Sequence, residues 1–63
     1  MKLDITITNY GRLRSVERNG EKLDAAEVLL LTTISFGQLW TANEENVLNS
    51  RGIEFEIWES NVD

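Results

Sequence analysis

Hydrophobic and polar positions alternate without a break from Lys2 to Thr8, with Leu3, Ile5 and Ile7 on one side and Lys2, Asp4, Thr6 and Thr8 on the other. A period of two in a run rich in β-branched residues predicts a half-buried strand. Asn9-Tyr10-Gly11 predicts a turn, because Asn and Gly tolerate unusual backbone angles. Arg12 to Arg18 reads as a second strand whose alternation slips, since Leu13 and Val16 have opposite parity. A bulge near Arg14-Ser15 reconciles them. Asn19-Gly20 is a strong hairpin signal, so Glu21 to Leu23 either folds back as a short third strand or leads into a helix.

The period changes at Asp24. Asp24-Ala25-Ala26-Glu27 has the layout of a capping box. The helix behind it is expected to reach a break near Thr41, with Val28, Leu29, Phe36, Leu39 and Trp40 on one arc. Gly37 is a point at which it could kink or end. Thr41-Ala42-Asn43-Glu44 repeats the box layout and opens a second helix to Ser50, with Gly52 suited to the left-handed position past its end. Ile53 to Glu59 alternates again, Ile53, Phe55 and Ile57 against Glu54, Glu56 and Trp58, and residues 60–63 form a frayed tail. The expected fold is one α+β domain over residues 1–63: a small antiparallel sheet of about three strands in the order β-β-α-α-β, with two helices packed on one face. One arrangement places the first strand between the second and the last.

Composition narrows the chemistry. A chain of 63 residues buries only about 60 % of its unfolded surface. Without Cys it has no disulfide or thiolate zinc site, and without His it lacks the usual general base and the commonest metal ligand. The carboxylate pairs Glu44-Glu45 and Glu54/Glu56 are the remaining candidates for acid–base or Mg²⁺ chemistry, with no substrate handle beside them. A non-enzymatic protein without metal or cofactor is the expectation. No apolar run approaches a membrane span and Met1 to Asp4 lacks a signal-peptide core, so a cytoplasmic location is expected.

Charge adds a direction. Eleven acidic residues against six basic ones give a net charge of −5, which disfavours nucleic acid as a direct partner. Residues 1 to 30 balance, whereas residues 31 to 63 set Glu44, Glu45, Glu54, Glu56, Glu59 and Asp63 against Arg51 alone. Alternate strand residues stand roughly 6.6–7 Å apart, a spacing close to that of phosphates along a nucleic-acid strand. Glu54 and Glu56, extended by Asp4 from a neighbouring strand, could occupy a cationic groove, although the default for such residues is a solvated outer face that keeps the chain soluble. Trp58 is either an interface anchor or a lid over the sheet edge. Leu30, Leu31 and Ile34 form an apolar surplus that either packs under the second helix or makes a dimer or partner surface. Arg12, Arg14 and Arg18 with Lys22 form a small basic patch on the hairpin, for which cross-strand ion pairing is the default. Glu44 and Glu45 in the first turn of the second helix exclude a DNA-recognition helix.

A short acidic chain without Cys or His, with a hairpin start, a helical middle and the last strand Ile53-Glu54-Phe55-Glu56-Ile57-Trp58-Glu59, resembles the small anti-CRISPR proteins of phages and mobile elements. The likeness spans the chain in size and charge layout and rests on no specific motif. It implies a DNA mimic that occupies the nucleic-acid surface of a CRISPR effector in a bacterial cytoplasm. It assigns the contacts to Glu54, Glu56 and Glu59, extended by Glu44, Glu45 and Asp4, with Trp58 or Leu30, Leu31 and Ile34 as the apolar anchor. The alternative is an interaction module, homodimerising or docking a partner through the apolar helix surface, as a small regulatory or antitoxin-like protein does.

Overall fold

The computed structural model describes residues 2–61. Its elements are β1 (Lys2–Ile7), β2 (Leu13–Arg18), β3 (Glu21–Lys22), α1 (Ala25–Leu31), α2 (Ala42–Ser50) and β4 (Glu54–Glu59). The strands form one sheet in the order β3-β2-β1-β4. The architecture is α+β with β1 between β2 and β4. The sheet is mixed rather than antiparallel, and it has four strands: β1 pairs antiparallel with β2 and parallel with β4. The cause is the path between β3 and β4. The turn at Asn19-Gly20 lies at the end where β1 starts, the loop after α1 reaches the opposite end beside Gly11 and Leu13, and α2 brings the chain back to Glu54 beside Lys2. A parallel neighbour requires such a long crossover.

Local signals act where they stand. Asn19 (φ 56°) and Gly20 (φ 82°) both take positive φ, as a two-residue hairpin turn demands. Thr6 pairs with Ser15 and Ile7 with Leu13, so Arg14 is the extra residue of a bulge. This slip lets both Leu13 and Val16 reach the core.

The core lies on one side of the sheet. Leu3, Ile5, Leu13 and Val16 meet Leu23, Val28 from α1 and Leu48 from α2, all buried. Ile7, Leu31, Ile34, Trp40, Ile53, Phe55 and Ile57 are half-buried around them. At about 25 cal/mol per Å², each fully buried aliphatic side chain contributes roughly 1.5–3 kcal/mol.

The first helix is much shorter than its hydrophobic arc suggests. Asp24 caps it, accepting from the Glu27 N–H at 2.9 Å. The chain leaves the helix at Thr32, which is 2 % exposed. The Thr32 hydroxyl lies 2.8 Å from the Val28 carbonyl and 3.0 Å from the Ile34 carbonyl, and it accepts from the Ile34 N–H at 3.3 Å. A buried hydroxyl so engaged holds the backbone in a bend. Phe36, Leu39 and Trp40 therefore sit in a loop, not on a helical arc, and Phe36 and Leu39 are exposed.

That loop runs along β2. Leu13 N–H donates to Gln38 O (2.8 Å), Gly37 N–H to Leu13 O (2.8 Å) and Trp40 N–H to Gly11 O (2.7 Å). Together with β3 it covers one edge of the sheet. The second helix ends as its glycine suggests: Gly52 (φ 71°) follows it, Ile53 N–H donates to Leu48 O and Gly52 N–H to Asn49 O. This double closure satisfies the last carbonyls of α2 and turns the chain into β4.

Candidate binding face

Strand alternation turns Leu3, Ile5, Phe55 and Ile57 to the core and Asp4, Thr6, Glu54, Glu56 and Trp58 to the opposite, outer face. Glu17 stands opposite Asp4, and Glu56 stands opposite Asp4 from the other side. Three carboxylates therefore form a row across β2, β1 and β4, at steps of about 4.8 Å. Lys22 extends the row on β3 opposite Glu17, and Lys2 stands opposite Glu54. Exposed Arg14 occupies the bulge farther along β2.

Two polar contacts organise the row. Lys2 Nζ lies 2.7 Å from Glu56 Oε1, with both side chains about half exposed. Its hydrogen bond to Glu56, then the Glu56 charge, raise the Lys2 pKa above the ordinary 10.5, so the ammonium persists throughout the neutral range. Trp58 Nε1–H donates to Asp4 Oδ1 at 3.4 Å. The indole is half exposed and lies over the outer face, not as a lid across the edge.

The expected contact residues separate into groups. Asp4, Glu54, Glu56 and Trp58 come together as anticipated. Glu56 is partly neutralised by Lys2. Glu59 has the parity of Phe55 and Ile57 and stands at the strand end on the helical side. Glu44 is buried, 4 % exposed, and accepts a hydrogen bond from the Thr33 hydroxyl. It ties α2 to the loop and offers no carboxylate to a partner. The second capping box is accordingly unmade: Thr41 is the N-cap without a side-chain hydrogen bond. Glu45 is half-buried and accepts from Trp40 Nε1 at 3.3 Å. The anticipated line of acid along one strand thus becomes a bent patch. Glu17, which sequence reasoning left out, belongs to it; its signal was the hairpin register that sets it against Asp4.

The basic and apolar candidates resolve as well. Arg12 Nη1 donates to the Gly37 carbonyl at 2.8 Å, and Arg18 pairs with Glu27 of α1 at 3.3 Å rather than across the hairpin. Leu31 and Ile34 pack on the core, whereas Leu30 is 78 % exposed and Leu29 stands exposed beside it. Ser60 is not frayed, because its N–H donates to the Ile7 carbonyl at 2.8 Å. The end of the expected tail, Val62 and Asp63, lies outside the described residues.

Among the described residues, no group of acidic side chains is arranged to hold a metal ion, and no helix is long and apolar enough to cross a membrane. No protein-family model, curated protein or solved structure matches the chain.

Proposed function

We propose that this is a binding protein that acts without catalysis, presenting the acidic outer face of its sheet to a cationic, nucleic-acid-binding surface of another protein. The observation that carries the reading is the register of Glu17, Asp4 and Glu56 across three adjacent strands, with Glu54 and the half-exposed Trp58 alongside. A sheet fixes its side-chain spacing before binding, so little ordering entropy opposes the contact. The carboxylates steer the encounter and Trp58 supplies apolar area beside them. Inhibition follows by occupying the groove that DNA or RNA would fill. A CRISPR effector is one partner of this class, named by the resemblance in size and charge layout.

Capture from a bacterial lysate tests the reading. Glu17→Lys/Glu54→Lys should retain the fold by circular dichroism yet lose the partner. Binding should also weaken steeply between about 50 and 500 mM salt, because exposed charges are screened over that range, and added duplex DNA should compete. Capture indifferent to charge reversal and to salt would overturn it.

Exposure of Leu29 and Leu30 favours a second reading, in which α1 mediates self-association. Sedimentation then shows a dimer that Leu30→Asp dissociates. A monomer at about 100 μM, well above the micromolar range of a stable pair, removes that reading.

A further inference from the structure

The two edges of the sheet differ. β3 and the loop through Gly37–Trp40 cover the β2 side, whereas β4 has β1 as its one neighbour among the described residues. Ser60 N–H bonds to Ile7 O, which fixes the phase of the parallel ladder. Even-numbered residues of β4 turn their peptide groups toward β1, and Phe55, Ile57 and Glu59 turn theirs outward. An open groove of about 640 Å³ follows the start of this edge, lined from both faces by Lys2 and Asn49 and by consecutive residues from Gly52 to Glu56.

We propose that β4 accepts an extended segment of a partner protein as a fifth strand, and that this segment alternates basic and apolar residues. Main-chain bonds to Phe55, Ile57 and Glu59 hold such a strand. Its basic side chains lie beside Glu54 and Glu56 on the outer face. Its apolar side chains lie along Phe55 and Ile57, which remain half-buried on the inner face. Charge selects this occupant over a second copy of the chain. Two β4 strands laid together would bring Glu54, Glu56 and Glu59 of both molecules to one seam, and like charges across a ladder destabilise it. The inference shares Glu54 and Glu56 with the outer-face reading but concerns main-chain pairing at an edge, which that reading does not need.

An NMR titration of the 63-residue chain with an acetylated, amidated octapeptide of alternating lysine and valine tests it. The largest amide shifts are expected at Phe55, Ile57 and Glu59. Two further peptides carry N-methyl groups on all lysine or on all valine amides. In an added strand one of these two sets faces β4, so one methylated peptide should bind about tenfold weaker or worse, while the other binds like its parent. Equal binding of all three peptides would show attraction by charge alone and overturn strand addition. Failure of the parent peptide to bind at millimolar concentration would overturn it too. Concentration-dependent protection of the same amides without peptide would assign the edge to a second copy instead.

Discussion

Arg51 joins the end of one helix to the end of the other. Its Nη1 donates to the carbonyls of Leu30 (2.9 Å) and Leu31 (2.8 Å), the last residues of α1. Those carbonyls have no partner within the helix, and α1 carries no basic residue in its own last turn. Arg51→Ala should therefore cost about 1 kcal/mol, allowing for the exposure of the side chain, and lower Tm by roughly 4–8 °C in a domain of this size. Arg51→Lys should lose part of that stability, since an ammonium keeps the charge but not the planar fork. Thermal unfolding of both variants decides; an unchanged Tm for Arg51→Ala would refute the capping role. At this scale the sequence speaks clearly when the partner is near. Asp24 with Glu27, and Asn19 with Gly20, act within a few residues and were readable. Glu44 against Thr33 was not, because that pair exists only after the loop has folded over α2.

The loop between the helices shows where periodicity misleads. The apolar spacing of Val28, Leu29, Phe36, Leu39 and Trp40 fits a helix, yet Thr32-Thr33-Ile34-Ser35 interrupts it. Three β-branched residues and a serine in succession are poor helix formers, and their side chains compete for the backbone. That run was the signal to weigh against the arc. The C-terminus of α2 was legible because glycine has one strong reason to stand there. A Cβ at Gly52 would meet open space, so backbone conformation alone sets the cost of replacing it (φ 71°). Gly52→Ala should lose roughly 1–2 kcal/mol, and Gly52→Asn less, since Asn tolerates the left-handed region. Urea midpoints measure both. Equal midpoints for all three chains would mean that the turn tolerates a side chain without strain.

For the molecule as a whole, the class was within reach of the sequence; strand order stayed open, and strand direction was not legible. Alternation identifies strands, but direction depends on which end of the sheet the chain comes back to, and the loop beside Gly11 and Leu13, with α2 behind it, decides that. The acidic patch was half legible for the same reason: residues along β4 can be read in order, while Glu17 enters only through cross-strand register. The central position of β1 also sets an order of stability. Hydrogen exchange should be slowest for β1 amides such as Leu3 and Ile5, which lie between two strands with fully buried side chains. Phe55 and Ile57, facing outward on β4, should exchange far sooner. Comparable protection in both strands of the free monomer would contradict the bare edge.

The parallel seating of the last strand beside the first has a consequence for biosynthesis. Leu3 and Ile5 leave the ribosome about fifty residues before their β4 partners Phe55 and Ile57, yet the sheet around them is completed only by that strand. A nascent chain can close the β1–β2 hairpin early, but it must carry one flank of β1 unpaired until β4 has emerged. Translation therefore delivers a molecule that matures in one late step, exposed until then to chaperones and proteases along the very strand that becomes its most protected.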